Sequence, residues 1–421
     1  MVRNSRLGSD GHQPQEAPGI SVPDQSLASL FRRFIGFGSL AWGGPVAQIA
    51  MLRRELVDHD RWISSERFNR TLAVYQVLPG PEAHELCVYF GYLARGRIGG
   101  VVAGVAFMLP GLVLMLVLSW LYLRVGLQSP LVLAFFAGAQ ACVLALVVRA
   151  VHRIGTHALT NRWLGTIALL AAFAALAGVH FAVVLAVAGA SYSLIGRRLV
   201  LVAVGLMVAT GVAATVLALG GLGQPRTTMA GAGGAEPALM GSEAPTSLFA
   251  SGLKAGLLTF GGAYTAIPFL ENDAVESGWM TTRTFLDGVA LSGILPAPLI
   301  IFATFVGYVA GGLAGALAIT AGVFVPAFAF TLVGHRQLER IVENRSMHTL
   351  LNGVTAGVAG LIGATALLLV PVVVRGVFGA AIFAVVLASL YLWRSPAVVV
   401  IAVLGSGAAG LILYAFLGAT P

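Results

Sequence analysis

Long stretches without any charged side chain dominate this sequence. No Asp, Glu, Lys or Arg occurs in residues 98–123, 163–196 or 288–335. A helix needs roughly 20 apolar residues to cross the hydrocarbon core of a bilayer, so the longer stretches have room for two crossings. Charged residues make up only 10% of the chain, whereas soluble domains carry about 25%. The sequence therefore excludes a water-soluble protein and predicts an all-α polytopic membrane protein.

The apolar runs predict about 13 transmembrane helices. In the first half they lie at 27–50, 72–93, 98–123, 130–151, 163–178, 180–195 and 199–221, and in the second at 248–270, 285–309, 312–334, 348–373, 376–393 and 397–418. Residues 1–26 are predicted to be a disordered cytoplasmic tail. Residues 222–247 are a linker of small residues and Pro. The linker separates a domain at 27–221 from a second domain at 248–421.

The basic residues predict which side of the membrane each loop faces. With the N-terminus inside, 16 of the 25 Lys and Arg fall on the inner side, as the positive-inside rule requires. We therefore predict the N-terminus inside and the C-terminus outside. Segment 51–70 is an exception because its five Arg are offset by four acids, and we interpret it as an amphipathic helix at the interface. The net charge of +8 is scattered over short loops, so no nucleic-acid partner is predicted.

The two halves of the sequence are copies of each other. FGSLAWGGPVAQIAMLRREL (37–56) aligns with AGLLTFGGAYTAIPFLENDA (255–274) at a shift of 218 residues, which places Gly-Gly on Gly-Gly. The second copy begins seven predicted spans after the first, and an odd number turns it upside down. The sequence thus predicts an inverted repeat with broken helices, an arrangement that many transporters use. If 72–93 enters the membrane and returns on the same side, this parity changes.

Both copies carry a pair of glycines where a membrane helix could break. These residues are Gly43, Gly44 and Pro45 in the first copy and Gly261 and Gly262 in the second. A break frees backbone N–H groups, and a helix N-terminus exposed by it suits an anion. The alternative is that the glycines only let two helices approach closely. Their presence in both copies favours a substrate site.

A second pair of breaks is predicted at Pro79-Gly80-Pro81 and at Pro296-Ala297-Pro298, because proline removes a helical amide donor. In the first copy the break is followed by Glu82, His84 and Glu85, and in the second by Leu299, Ile300 and Ile301. An acid in the first turn of a helix can simply suit the helix dipole. Ionisable groups at membrane depth are more often functional, so we favour a role in proton coupling or substrate binding.

Further residues complete the predicted site. Lys254 is the only lysine in the chain and lies seven residues before Gly261. It could hold an anion near the break, although a lysine near a span end commonly extends to the headgroups. Gln48 and Gln76 could add side-chain donors, and Arg53 and Arg54 would form an electrostatic funnel at the mouth. By repeat symmetry the glycine breaks of the two copies converge on a central anion.

Motifs of enzymes are missing from the sequence. His152 and His157 do not share a helical face, and no catalytic triad, phosphate-binding loop or protease motif occurs. We therefore predict no enzyme activity, no cofactor and no metal site. A membrane receptor or scaffold that transports nothing is the alternative class, and the paired breaks argue against it.

Three segments resemble a known family. The segments 43–64 (GGPVAQIAMLRRELVDHDRWIS) and 78–104 (LPGPEAHELCVYFGYLARGRIGGVVAG) resemble the first domain of the chromate ion transporter family, and 256–317 resembles its second domain. The resemblance implies a duplicated transporter of the bacterial inner membrane that exports chromate and confers chromate resistance. Sulfate stays open as a substrate because it is also a tetrahedral dianion. Besides the oxyanion and the lipid bilayer no partner is predicted, and a homodimer stays open.

Overall fold

The protein is built from α-helices. The computed structural model describes residues 22–42, 44–126, 129–219, 243–260, 262–343, 345–374, 376–393, 395 and 397–417, and these residues form fifteen α-helices and no β-strand. The helices are α1 (Leu27–Ser39), α2 (Gly44–Leu52), α3 (Ser65–Val77), α4 (Glu82–Leu121), α5 (Pro130–Ala158), α6 (Arg162–Leu176), α7 (Phe181–Gly196), α8 (Val200–Leu219), α9 (Pro245–Leu257), α10 (Ile267–Glu276), α11 (Thr282–Gly293), α12 (Phe302–Glu343), α13 (Arg345–Val373), α14 (Gly376–Leu392) and α15 (Val398–Leu417). The predicted all-α polytopic fold is confirmed.

Equivalent helices begin with equivalent caps. The Ser64 hydroxyl accepts a hydrogen bond from the Arg67 amide at the start of α3, 3.1 Å away. The Thr281 hydroxyl does the same for the Thr284 amide at the start of α11, at 3.2 Å. Such a cap satisfies one of the amide groups that have no partner within the helix. The repeat in the sequence therefore recurs in local structure.

The helices α4 and α12 each contain a sharp turn at matching positions. The φ and ψ angles are −144° and 30° at Arg95, then 59° and −152° at Gly96. At Gly311 they are −140° and 22°, and at Gly312 they are 60° and −153°. Glycine adopts a positive φ without steric cost. The turns divide α4 into α4a (82–94) and α4b (97–121), and α12 into α12a (302–310) and α12b (313–343).

The first half contains two helical hairpins that turn back within the protein. In hairpin 1, formed by α1 and α2, the Arg33 guanidinium pairs with the Asp60 carboxylate beyond α2. In hairpin 2, formed by α3 and α4a, the rings of Phe68 and Phe90 stack at 6.4 Å. Both contacts join residues at similar distances before and after a break. Each hairpin therefore returns to the side from which it entered.

The second half repeats these two hairpins. In hairpin 3, formed by α9 and α10, the Ser251 hydroxyl donates a hydrogen bond to the Asp273 carboxylate at 2.6 Å. In hairpin 4, formed by α11 and α12a, the rings of Phe285 and Phe302 meet edge to face at 5.5 Å. The bends of the four hairpins, which we call tips, are the breaks predicted from Gly-Gly and Pro-x-Pro.

The remaining apolar helices agree with nine of the 13 predicted spans. In the described part of the chain six segments are long and apolar enough to cross a membrane, namely Glu82–Val125, Pro130–Ala158, Val200–Leu217, Leu299–Val333, Ser346–Val373 and Val398–Phe416, and α6, α7 and α14 are shorter apolar helices. The other four predicted spans, 27–50, 72–93, 248–270 and 285–309, form the hairpins. Hydropathy alone does not distinguish a hairpin of two half-length helices from one crossing helix.

Equivalent helices of the two halves pack antiparallel. A side chain at Gly104 of α4b would collide with the Phe328 ring of α12b, and one at Gly100 would collide with Leu332. As residue numbers fall along α4b they rise along α12b, so the helices run in opposite directions. Antiparallel packing of equivalent helices is what an inverted repeat requires. The two copies remain inverted because both hairpins of the first half turn back. Two of the seven predicted crossings between the copies are thereby removed, and the number that remains is still odd.

The halves also exchange helices. Gly138 of α5 lies against the backbone of Ser406 in α15, and Gly353 of α13 lies against the backbone of Ala188 in α7. Small residues let membrane helices approach this closely. Helix α5 of the first half thus packs on the second half, and α13 does the reverse. Helix α8 lies between the two copies in the chain and has no equivalent helix in the second copy.

Two predicted segments fall largely outside the described residues. The tail 1–26 is described only from residue 22, and the linker 222–247 only from residue 243. The predicted domain boundaries therefore stay predictions.

Candidate functional site

The hairpin tips of the two halves are joined in the middle of the protein. The Gly80 amide, at the tip of hairpin 2, donates a hydrogen bond to the Thr259 carbonyl at the tip of hairpin 3, at 2.8 Å. Hairpins 2 and 3 belong to different halves and enter from opposite sides. This bond therefore lies where the two inverted copies meet.

Gln48 joins the other two tips. Its Nε2 atom donates to the Ala41 carbonyl at 2.9 Å, at the tip of hairpin 1, and to the Ala297 carbonyl at 3.0 Å, at the tip of hairpin 4. The side chain is buried. The structure thus joins the tips in two pairs: Gln48 meets the Pro296–Pro298 break, and the Pro79–Pro81 break meets Thr259.

The glycine breaks leave open space beside the backbone. Gly44 has φ +77° and Gly262 has φ +119°, and no heavy atom lies within 4 Å of where a Cβ would be on either residue. Gly44 and buried Pro45 begin α2, and Gly262 precedes the 3₁₀ turn Ala263–Ala266. Amide groups in a first helical turn have no partner within the helix and can face an anion. The neighbouring site residues Gly43 and Gly261 lie outside the described residues.

Three ionisable side chains are buried behind the tip of hairpin 2. The exposed fraction is 4% for Glu82 and 0% for His84 and Glu85. Neither carboxylate oxygen of Glu85 makes a hydrogen bond within the described residues. The His84 ring lies between the Phe324 and Phe328 rings of α12, with both centroid distances 4.8 Å. The predicted placement of these groups inside the membrane part of the protein agrees with this burial.

A polar cavity of about 480 Å³ reaches the same tip. It is lined by Gln76, Glu82, Arg153, Ile154, His157, Ala158, Thr160, His348, Asn352 and Thr355. We call this cavity the vestibule. It lies between hairpin 2, the end of α5 and the start of α13. Gln76 and Glu82, both predicted site residues, are therefore part of its wall.

Sequence analysis missed the basic residues of the vestibule. Arg149, Arg153 and His157 are spaced by four residues along α5, which places them on one helical face. That spacing is the sequence feature from which these basic residues could have been predicted to lie together. Arg153 and His157 line the vestibule together with Glu82, and Arg149 lies one helical turn before Arg153 on α5.

Lys254 has a carboxylate partner. Its Nζ atom pairs with Asp273 of hairpin 3 and lies 5.0 Å from the centre of the Phe181 ring. The ammonium charge is therefore directed at Asp273, and the structure does not bring Lys254 to the tip residues. Arg53 lies near Asp58, at 3.9 Å, and Arg53 and Arg54 belong to the π-helical segment that follows α2.

A buried polar cluster lies in the other half, at the position equivalent to Thr355 of the vestibule. Gln140 occupies on α5 the position that Thr355 occupies on α13. Its Nε2 atom donates to the Asp287 carboxylate at 2.7 Å, and the Tyr122 hydroxyl donates to the same carboxylate at 2.7 Å. All three of these side chains are buried. The cluster therefore links α5, α11 and the residue that follows α4b on the side opposite to α1.

Comparison with known proteins identifies the family. The sequence profile described as "Chromate transporter" matches residues 28–194 and again residues 246–411. This chain belongs to the chromate transporter family. The two matches fall on the two halves of the inverted repeat. The protein is accordingly a multi-pass membrane transporter and not an enzyme.

Several curated relatives in the chromate transporter family cover most of the chain. The chromate transport protein of Pseudomonas aeruginosa is 54% identical over 415 residues, which is 96% of this chain and 98% of the relative. The chromate transport protein of Cupriavidus metallidurans is 30% identical over 366 residues, covering 81% of this chain and 82% of the relative. A probable chromate transport protein of Synechococcus elongatus is 28% identical over 363 residues, with 82% and 85% covered. No solved structure matches the chain.

Proposed function

We propose that this transporter exports chromate from the cytoplasm across the bacterial inner membrane and binds it at the four hairpin tips. The observation that carries the proposal is the pairing of tips across the two halves, through Gly80 with Thr259 and through Gln48 with Ala41 and Ala297. Unwound backbone at membrane depth persists where it is buried in protein or lines a wet cavity. Backbone donors suit an oxyanion because they need no fixed positive charge for each hydrogen bond.

The orientation of the chain supports transport from the cytoplasm. Because both hairpins of the first half turn back, the described basic residues divide unequally between the two sides. Seventeen lie towards the side of α1, namely Arg32, Arg33, Arg53, Arg54, Arg61, Arg67, Arg70, Arg95, Arg97, Arg149, Arg153, Arg162, Arg197, Arg198, Arg336, Arg340 and Arg345, and three towards the other, namely Arg124, Lys254 and Arg283. By the positive-inside rule this division supports a cytoplasmic side that contains the start of α1 and the vestibule.

Membrane potential supplies a driving force for export. Moving a dianion out of a cell that is negative inside releases about 4.6 kcal/mol per 100 mV. This energy supports a gradient of more than about a thousandfold, since each 1.4 kcal/mol is a factor of ten. Export therefore needs no proton coupling on energetic grounds.

Protonation of the Glu82 carboxyl group is expected to affect the passage of the anion. Glu82 lies both at the tip of hairpin 2 and in the wall of the vestibule, which Arg153 and His157 also line. An ionised carboxylate repels a dianion, whereas a protonated one donates a hydrogen bond to it. We propose that Glu82, with Glu85 behind it, modulates transport through its protonation.

Sulfate is the second candidate substrate because its shape and charge match those of chromate. Uptake of labelled chromate and labelled sulfate into inside-out vesicles separates the two. We expect chromate uptake that depends on an imposed potential, positive inside the vesicle, and that exceeds sulfate uptake at equal concentration. Chromate uptake that persists unchanged after the potential is collapsed would refute the proposed driving force, and faster sulfate uptake would refute the substrate.

A further inference from the structure

The vestibule has features of a binding site that differ from those of the hairpin tips. Side chains line it, whereas main-chain groups surround the tips. Its basic side chains come from two helices, Arg153 and His157 from α5 and His348 from α13. Glu82 is the only carboxylate among the described lining residues. Each of the three basic residues is exposed to the cavity.

The basic side chains of the vestibule form no ion pair with a carboxylate among the described residues. The described ion pairs of the protein use Arg33, Arg53, Arg70, Arg95, His59 and Lys254 as their basic partners. Arg153 makes none of them, and the described contacts of His348 include Asn352, at 3.1 Å. A guanidinium presents a planar set of donors that matches an oxyanion. The charge in the cavity is therefore available to a ligand.

The size of the cavity suits a hydrated ion. A water molecule occupies about 30 Å³ of liquid, so 480 Å³ holds a tetrahedral oxyanion together with much of its first water layer. Gln76, Asn352 and Thr355 supply neutral donors around it. An ion can bind here before it loses the water that it cannot carry to the buried tips.

We propose that the vestibule contains a separate oxyanion-binding site, formed by Arg153, His157 and His348, that captures the ion before the hairpin tips bind it. Its ligand class is the hydrated tetrahedral dianion, such as chromate or sulfate. The proposal rests on the proposed function for the direction in which the ion then moves. Binding itself does not depend on that direction. Glu82, at the inner end of the site, separates it from the tips.

Kinetics of the Arg153→Gln variant test the capture role. We expect the chromate concentration at half-maximal uptake into inside-out vesicles to rise about tenfold, with the maximal rate within twofold of the parent, because the tips are unchanged. Arg153→Lys should keep most of the affinity. Arg162→Gln is the matched control, since Arg162 is exposed at the start of α6 on the same side but does not line the vestibule. Equal half-maximal concentrations for Arg153→Gln and the parent would overturn the proposal.

Equilibrium binding of the ions tests the vestibule site independently of the proposed export of chromate. Labelled chromate and sulfate are added to purified protein in nanodiscs of neutral phosphatidylcholine and, separately, of anionic phosphatidylglycerol. We expect Arg153→Gln to weaken binding of both ions in the neutral discs, even if the parent proves unable to export chromate. If Arg153→Gln binds both ions as the parent does and instead loses only a stabilisation by phosphatidylglycerol, the cavity holds lipid headgroups and the proposal is wrong.

Discussion

The amide of Gly80 and the carbonyl oxygen of Thr259 are hydrogen-bonded at 2.8 Å although they belong to different copies of the repeat. Gly80 lies between two prolines, and neither proline has an amide hydrogen to donate. Thr259 is the second residue after α9, the first helix of hairpin 3. The bond therefore couples two tips that enter from opposite sides, and movement of one half against the other must stretch or break it.

Gln48 should be needed for transport because its side chain links two tips. Gln48→Leu leaves the carbonyls of Ala41 and Ala297 without this donor, and each buried unsatisfied group costs about 1–3 kcal/mol. We expect a lower midpoint of thermal unfolding and at least a tenfold loss of chromate uptake. Gln76→Leu is the control, because Gln76 is exposed in the vestibule and its loss should leave the midpoint unchanged. A Gln48→Leu protein with the parent's midpoint and rate would contradict the link.

The buried acids of hairpin 2 should set the pH dependence of transport. Glu82→Gln and Glu85→Gln keep the shape of each side chain but cannot ionise. We expect uptake by Glu82→Gln to vary less with pH than uptake by the parent. Glu66→Gln is the matched control, since Glu66 is exposed near the start of α3 and forms an exposed ion pair with Arg70. Unchanged pH profiles in both buried variants would assign these acids a structural role at the helix terminus.

Because Lys254 pairs with Asp273, variants can separate a structural role of Lys254 from a role in anion binding. Lys254→Ala leaves the Asp273 carboxylate with only the Ser251 hydroxyl among its described partners, and we expect a lower thermal midpoint. Adding Asp273→Asn removes the unpaired charge and should restore much of that loss. If chromate affinity falls in the single variant and is regained in the double variant, Lys254 acts through hairpin 3. An affinity that stays low in the double variant would instead place the ammonium group at the anion.

The buried cluster of Asp287, Gln140 and Tyr122 should stabilise the folded protein. Tyr122→Phe removes one of the two described donors to Asp287 while keeping the ring contacts with Phe136 and Phe305, at 5.3 and 5.1 Å. We expect a loss of about 1–3 kcal/mol of stability. A thermal midpoint within error of the parent would show that the hydroxyl contributes nothing.

Much of this architecture was predictable from sequence because glycine and proline determine backbone geometry locally. The repeat, the four breaks and nine spans all follow from such residues and from apolar runs. The return of a hairpin was left open for 72–93 and was not predicted for the other three, since it depends on contacts such as Phe68 with Phe90 between helices of similar hydropathy. The vestibule was missed for a related reason: Arg153 and His348 meet only through the exchange of α5 and α13 between the halves.

Binding of oxyanions at the hairpin tips can be tested with a matched pair of glycine substitutions. Gly262 and Gly278 both have positive φ, at 119° and 70°, and both have open space where a side chain would be, so Val strains the backbone at each. Gly262 lies at the tip of hairpin 3, whereas Gly278 lies in the exposed turn after α10. The measurement is the uptake of labelled chromate by membrane-inserted protein, normalised to its amount. We expect Gly262→Val to lose at least 90% of uptake and Gly278→Val to keep most of it. Equal uptake by the two variants would contradict a site at the tips.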